Sequence, residues 1–282
     1  MSGILYVVGT PIGNLGDFSP RAVETLASCD FIAAEDTRVT LGLLNHFGIK
    51  KPLVSYYEHN RRERGSEILA RILGGESCAV VTDAGMPAIS DPGEDLVRLC
   101  HEHGVQVAAV PGPCAFATAL AISGMPSGRF TFEGFLSVSK QSRRQHLQDV
   151  ANERRTMIFY EAPHKLLSTL RDMYAAFGER NIAIVREITK IYEEVIRTTF
   201  SEAIERYTAQ PPKGEIVLII EGAPEPEPDD SFTLEDAVTE AVRLTEQGVS
   251  PTDAAKTAAK QFGFKKGDIY KALTERRDTN AD

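Results

Sequence analysis

Hydrophobic positions in the first 125 residues fall into short runs separated by helical patterns. Residues 4–8 form an apolar run that ends in a glycine loop, and Ser19-Pro20 then supplies an N-cap and a first-turn proline for a helix. Residues 31–34 are a second run. Residues 41–47 carry a helical pattern that stops at Gly48, a common C-cap. Residues 53–56 read as a strand and residues 62–73 as a helix closed by Gly74-Gly75. Residues 79–81 form a strand that enters a loop rich in Asp, Gly and Pro. Residues 96–103 are helical and end at Gly104; residues 105–110 run as a strand into Pro111-Gly112-Pro113; residues 116–122 read as a buried helix. This β-α-β-α order predicts a parallel sheet covered by helices on both faces. In such a sheet the ligand crevice lies beyond the C-terminal strand ends, where every distinctive loop of this segment falls.

Met125-Pro126-Ser127-Gly128 marks a junction, after which the pattern restarts. Residues 130–135, 157–160, 182–185 and 215–220 read as strands and residues 195–200 as an antiparallel strand. Residues 141–153 and 166–177 read as helices, and residues 204–207 as a short helix before Pro211-Pro212. The expected fold is therefore α/β. It has an N-terminal parallel α/β domain over residues 1–125 and a mixed-sheet α/β domain over 126–222. An acidic, proline-rich linker over 223–231 follows, with a helical extension over 232–282. Alternating proline and acid favours an extended, solvated linker. The extension carries helical patterns at 234–247, 252–262 and 266–277, the second capped by Ser250-Pro251, and resembles a helix-turn-helix.

With 42% hydrophobic and 25% charged residues, the 282-residue chain has the composition of a globular protein large enough for one or two sizeable cores. No apolar stretch approaches the roughly 20 residues of a membrane helix, and the N-terminus lacks the basic region of a signal peptide. A cytoplasmic protein without membrane contact is expected. The four cysteines are scattered without a CxxC pair, which argues against a disulfide framework or zinc site. His101 and His103 do not share a helix face, so no metal is expected. A formal charge of −9 argues against non-specific nucleic-acid binding over the whole surface. It leaves local clusters: Arg61, Arg62 and Arg64; Lys140, Arg143 and Arg144, followed by Arg154 and Arg155; and Lys265, Lys266, Lys271, Arg276 and Arg277. Each also reads as a solvated helix face.

Candidate chemistry sits in the loops. Gly9-Thr10-Pro11-Ile12-Gly13-Asn14 has the strand–glycine–helix form of a nucleotide cradle, or of a tight turn without a ligand. Glu35-Asp36-Thr37-Arg38 offers a guanidinium fork for phosphate or carboxylate, or an N-cap with a local ion pair. In residues 82–93, Asp83 is placed to accept hydrogen bonds from an amino or ribose hydroxyl group, whereas Asp91 suits a cap for a helix at Pro92. Pro111-Gly112-Pro113-Cys114-Ala115 lets backbone approach a ligand closely. No histidine pairs with Cys114 in sequence, so an inert thiol is expected there. In the second half, Tyr160, Glu161, Ala162, His164 and Lys165 follow one strand, Arg186, Glu187 and Lys190 another, and Lys213 and Glu215 precede the last.

These loops, in this order, resemble the ribosomal RNA small subunit methyltransferase I family of the tetrapyrrole methylase superfamily. The most specific motif is Asp83-Ala84-Gly85-Met86-Pro87-Ala88-Ile89-Ser90-Asp91-Pro92-Gly93, supported by the Gly9, Ala34, Pro111, Phe159, Arg186 and Lys213 segments, and the likeness covers residues 3–222 firmly. It implies two α/β domains with S-adenosylmethionine in the cleft between them, a homodimer, and transfer of methyl to a cytidine ribose 2′-hydroxyl of 16S rRNA within the small ribosomal subunit. The cofactor contacts it implies are Pro11, Ile12, Asp83, Met86, Cys114 and Ala115, with Tyr160 and Ala162 from the second half. Related methylases often carry Ser where Cys114 stands, which makes backbone contact the safer assignment there. A general base or a cation near the acceptor oxygen would help transfer; Glu161, Lys190, Lys213 and Glu215 are the candidates, and Asp36 and Arg38 are candidates for substrate positioning. Lys190 and Glu215 equally suit a structural ion pair. The alternative activity is methylation of a corrin or porphyrin ring. A cofactor-free nucleic-acid-binding regulator would use the tail, whose residues 250–277 carry seven basic and three acidic side chains.

Overall fold

Strand β1 (Ile4–Val8) lies between β4 (Cys78–Val81) and β5 (Gln106–Val110), and β2 (Phe31–Ala34) lies between β4 and β3 (Leu53–Ser55). All four pairings are parallel, giving the order β3-β2-β4-β1-β5. This computed structural model describes residues 2–225 and 232–279. Most of the linker expected at 223–231, and the side chain of Arg277, lie outside the described residues. Successive strand side chains face opposite sides of a sheet, which accounts for a β2 buried at all four positions. Phe31 and Ala33 join Ile68 and Ile72 of α3 (Arg61–Leu73) and Leu96 and Cys100 of α4 (Glu94–Glu102). Ile32 and Ala34 join Ala22 and Leu26 of α1 (Pro20–Ser28) and Leu44 of α2 (Thr37–His46).

The second sheet holds β6 (Phe130–Phe135), β7 (Thr156–Glu161), β8 (Asn181–Arg186), β9 (Glu194–Thr199) and β10 (Ile216–Ile220) in the order β6-β7-β10-β8-β9. Only β6 and β7 run parallel, with a register shift between Phe132 and Gly134, so the mixed sheet expected from the pattern is present. One face packs on α6 (Lys140–Asp149), α7 (Leu166–Phe177) and α8 (Phe200–Ala209) through Leu147, Leu170, Met173 and Phe200. The other face packs on α5 (Ala115–Ser123), whose Ala119 and Leu120 meet Ile158, Ala183, Val185, Val217 and Ile219. Thus α5 precedes the junction near residue 125 but covers the second sheet. Every residue of β10 is buried, at roughly 1.5–3 kcal/mol per large aliphatic side chain.

Both sheets belong to one compact unit, Met1–Ala223; Pro224–Asp282 is a second. In the latter, α9 (Leu234–Glu246), α10 (Pro251–Phe262) and α11 (Lys266–Thr279) enclose Ala237, Ala241, Ala254, Ala255, Ala258, Ile269 and Leu273. Among the described residues no helix is long and apolar enough to cross a membrane.

Several boundaries differ from the expected ones for local reasons. Helix α2 begins at Thr37 rather than residue 41, because the Asp36 side chain caps it by accepting the Arg38 N–H. Residue 200 opens α8 instead of closing β9, since Glu202 accepts the Thr199 N–H at 3.4 Å. Helix α6 ends at Asp149 rather than residue 153. Asp91 does not cap α4: that helix starts at Glu94 and its N-cap is Gly93, at φ 144°.

Candidate functional site

The loops after β1, β4 and β5 are joined by main chain. Thr10 N–H donates to the Gly85 carbonyl at 2.9 Å, Gly85 N–H returns the bond to Thr10 at 3.2 Å, and the Thr10 hydroxyl donates to the Thr82 carbonyl at 3.1 Å. Gly9 and Gly112 touch so closely that a Cβ on Gly112 would lie 2.8 Å from Gly9 Cα and carbonyl carbon. No side chain fits there without backbone movement.

This fused wall faces β7 and β10 across a cavity of about 350 Å³. Ile12, Met86, Cys114 and Ala115 line it from the first half, and Tyr160, Glu161, Ala162 and Glu215 from the second. The structure thereby brings together eight of the sequence-nominated residues. Pro11 and Asp83 lie on the other side of the same two loops, in a cavity of about 380 Å³ with Leu15, Val39, Thr40 and His46. Lys190 reaches the rim through Glu215. Lys213 is exposed and lines neither cavity. Arg38 is 89% exposed and its guanidinium is held by the Asp36 carboxylate, 2.6 Å from Nη2, so the cap and local ion pair are both formed.

The second half is latched to the first loop. Thr189 Oγ1 donates to the Ile12 carbonyl at 3.3 Å, and Asn14 Nδ2 donates to the Thr189 carbonyl at 3.3 Å. The aliphatic stem of Lys190 fills the space where Gly13 lacks a Cβ. Glu187 and Thr189 hold positive φ angles of 53° and 68°, the strained backbone this clasp requires. The Tyr160 hydroxyl accepts the Phe116 N–H at 3.1 Å, tying β7 to the start of α5, and burial pushes its pKa up to about 12.

Charges in the site are sorted by their surroundings. Lys190 Nζ donates to Glu215 Oε2 at 2.8 Å and Glu187 Oε1 at 2.9 Å. Burial works against its charge, but the bonds to Glu215 and Glu187 outweigh that and raise its pKa; it is a cation, not a base. Glu161 is buried with both oxygens engaged, accepting from Ala162 N–H at 2.8 Å and from the Thr169 hydroxyl. Asp83 is raised by burial and accepts the Asp36 N–H at 3.1 Å. Asp91, assigned above to capping, instead lines the cavity, where burial and then Glu35 and Asp83 push it up to about 6. Its neighbours Ala88 and Ser90 hold φ angles of 67° and 64°. That strained path turns Asp91 inward, and no residue-type rule marks it. Phe135, Ile188 and Val217 also line the cavity; only convergence of separate strand ends reveals them. Cys114 is half-buried with its pKa raised by burial, in keeping with an inert thiol.

Residues 4–204 match the family model for Tetrapyrrole (Corrin/Porphyrin) Methylases. A protein of Synechocystis named ribosomal RNA small subunit methyltransferase I is 47% identical over 97% of this chain and 98% of its own length. A Haemophilus influenzae protein of the same name is 44% identical over 96% of each. One from Thermotoga maritima is 48% identical over 78% of this chain and 99% of its own length. Among solved structures, uroporphyrin III C-methyltransferase from Thermus thermophilus shares the fold at a TM-score of 0.55, with 16% identity over 77% of this chain and 97% of that one. A diphthine synthase does so at 0.59, with 12% identity over 78% and 90%. The match to the methylase model over residues 4–204, and identities of 44–47% along nearly the whole length of named relatives, show that the chain belongs to the tetrapyrrole methylases and, within them, to the ribosomal RNA small subunit methyltransferase I family.

Proposed function

We propose that the protein transfers a methyl group from S-adenosylmethionine to the 2′-hydroxyl of a cytidine ribose in 16S rRNA, acting on the small ribosomal subunit in the cytoplasm as a homodimer. The observation that carries this is the cavity of about 350 Å³ between the fused loop wall and β7/β10, combined with the named relatives. S-adenosylmethionine, when bound, supplies a methyl already activated on its sulfonium, so alignment of the acceptor oxygen is the protein's main task.

The cavity fits that donor. Ile12, Met86, Ile89, Ile188 and Val217 give it apolar walls, and Asp91 and Glu215 give it carboxylates for a cationic or hydroxyl-bearing ligand. Cys114 forms no side-chain cap on α5, so the Ala115 amide is left to meet a ligand carboxylate, while the Phe116 amide is held by Tyr160. Tyr160 and Ala162 close the opposite side. Pro11 and Asp83, facing the second cavity across the same loops, are assigned to the acceptor side together with Asp36 and Arg38. Of the four catalytic candidates, Glu215 alone lines the cavity with a carboxylate oxygen not tied to backbone or hydroxyl, and Lys190 orients it. Glu161 holds the Ala162 turn in place, and Lys213 lies outside.

Methyl transfer from labelled S-adenosylmethionine tests the reading, with small subunits lacking the modification, naked rRNA and a porphyrinogen offered in parallel. Label on a ribose 2′-oxygen of subunit RNA is expected. Label only on the porphyrinogen would overturn the acceptor and leave the fold and donor pocket standing. Sedimentation tests the homodimer.

A further inference from the structure

A third cavity, of about 470 Å³, lies between the N-terminal half of α3 and α4 and is lined by Tyr56, Arg61, Arg62, Asp95, Leu96 and Arg98, among others. It belongs to no part of the site described above. Both helices follow strands of the parallel sheet, so their N-termini open on the same sheet edge as the donor cavity. Asp91 lines the donor cavity and Asp95, in the first turn of α4, lines this groove.

The groove asks for an anion in three independent ways. Tyr56 is 1% exposed, yet its hydroxyl has no hydrogen-bond partner. Burial first, and then the nearby Asp95 carboxylate, push its pKa up to about 12, so it remains a protonated donor. Leaving such a group unpaired is costly unless a ligand completes it. Second, neither helix is capped by a side chain: Asn60 spends its amide on the Tyr57 N–H and the Ser55 carbonyl, and Gly93 has nothing to offer. Two helix N-termini thus present free N–H groups. Third, three guanidinium groups stand among three carboxylates, Glu58, Asp95 and Glu102, and two of the three guanidinium groups are paired. Arg61 pairs with Glu58 at 3.2 Å and Asp95 at 3.1 Å, and Arg98 pairs with Asp95 and, at 4.0 Å, with Glu102. Arg62 is exposed and makes no side-chain pair among the described residues.

Resting on the rRNA reading above, we propose that this groove binds a phosphate of the RNA backbone. Arg62 supplies the free fork, Tyr56 donates its hydroxyl to a phosphate oxygen, and Arg61 and Arg98 exchange part of their bond to Asp95 for the anion. A tetrahedral oxyanion suits the donors. A free anion would use the same chemistry, but a groove on the same sheet edge as the donor cavity is placed for a chain whose ribose must reach the methyl group there. The contact positions RNA without reading its sequence.

Arg62→Ala and Tyr56→Phe test this with small subunits as the probe, measuring direct subunit binding, KM, kcat and the S-adenosylmethionine dissociation constant over a series of salt concentrations. Binding and KM should weaken by about three- to tenfold in each, with kcat and donor affinity within twofold. The slope of log affinity against log salt should shrink by about 0.7–0.9 for Arg62→Ala, as for one lost phosphate contact. Tyr56→Phe should melt no lower than wild type, because it removes an unpaired buried hydroxyl; weakened RNA binding without lost stability separates a ligand role from a structural one. Unchanged binding and salt slope in both variants would overturn the proposal. So would a Tyr56-dependent response to inorganic phosphate, against chloride of equal ionic strength, with RNA binding unaffected; that result would mark a free-anion site. Absence of methyl transfer by the wild type would count against the proposed activity, while direct subunit binding would still report on the groove.

Discussion

Replacing Asp91 by Asn should stabilise the protein and cripple donor binding, both in a pH-dependent way. Asp91 lines the proposed donor cavity, where burial first, and then the nearby Glu35 and Asp83, raise it from an ordinary 3.8 to about 6. A carboxyl raised in the folded state binds more protons there than in the unfolded chain across that interval. Stability therefore falls as pH rises from about 4 to about 6, and the full penalty is present above it. At 1.36 kcal/mol per pH unit the rise corresponds to about 3 kcal/mol. Solvent reaches part of the carboxyl, and screening reduces that to about 1–2 kcal/mol. The Asn variant keeps the shape and carries no charge. In urea titrations it should gain about 1–2 kcal/mol over wild type at about pH 8, and the gain should vanish near pH 4. Calorimetry should show wild-type affinity for S-adenosylmethionine rising as pH passes 6, and a flat, weaker profile for the variant. A variant that is no more stable than wild type at pH 8, and binds the donor equally well, would refute the argument.

Other perturbations probe the frame around that carboxyl. Gly112→Ala forces a Cβ against Gly9 backbone; overpacking of this kind costs about 1–3 kcal/mol and should push the β1 and β5 loops of the wall apart, seen as a lower melting temperature together with at least tenfold weaker donor binding. Lys190→Met keeps the stem beside Gly13 but leaves Glu187 and Glu215 facing each other without their cation. Activity should fall at least tenfold, the pKa of Glu187, now held down first by its bond to Lys190, should rise, and Lys190→Arg should restore some of the activity. Tyr160→Phe orphans the Phe116 N–H, at about 1–3 kcal/mol by denaturant unfolding. The fragment ending at residue 223 should melt cooperatively by itself, because Met1–Ala223 is a separate compact unit; unchanged subunit affinity in that fragment would show that the tail does not grip RNA.

The first sheet was legible because its strands are short apolar runs, β1, β4 and β5 leading into loops that carry glycine or proline, with helical patterns between them. The second sheet was legible as mixed, but not in its pairing: the shift between Phe132 and Gly134 and the central place of β10 depend on contacts between distant segments. Eight nominated side chains meet at the cavity because they sit at strand ends that the fold brings to one place. Asp91 was hidden because Asp-Pro before a helix looks like a cap, and only the positive φ angles at Ala88 and Ser90 turn it inward. Lys213 had the right residue type on the right loop, yet periodicity does not say which way an exposed lysine points. The Thr199–Glu202 capping pair, by contrast, was written in the sequence and marks where β9 must stop.

The place of β10 in its sheet sets an order on synthesis. It is the last strand to be made, yet it stands in the middle, with β7 on one side and β8 on the other. As the chain leaves the ribosome, the first sheet has all its strands by residue 110, and β6 can pair with β7 and β8 with β9. These two halves have no common edge until residues 216–220 arrive to join them. Glu215, Ile216 and Val217 come with that strand and complete the wall of the proposed donor cavity. A nascent chain stopped just short of them therefore holds a finished first sheet but no complete pocket, and the proposed donor site exists only after both halves have closed around their final strand.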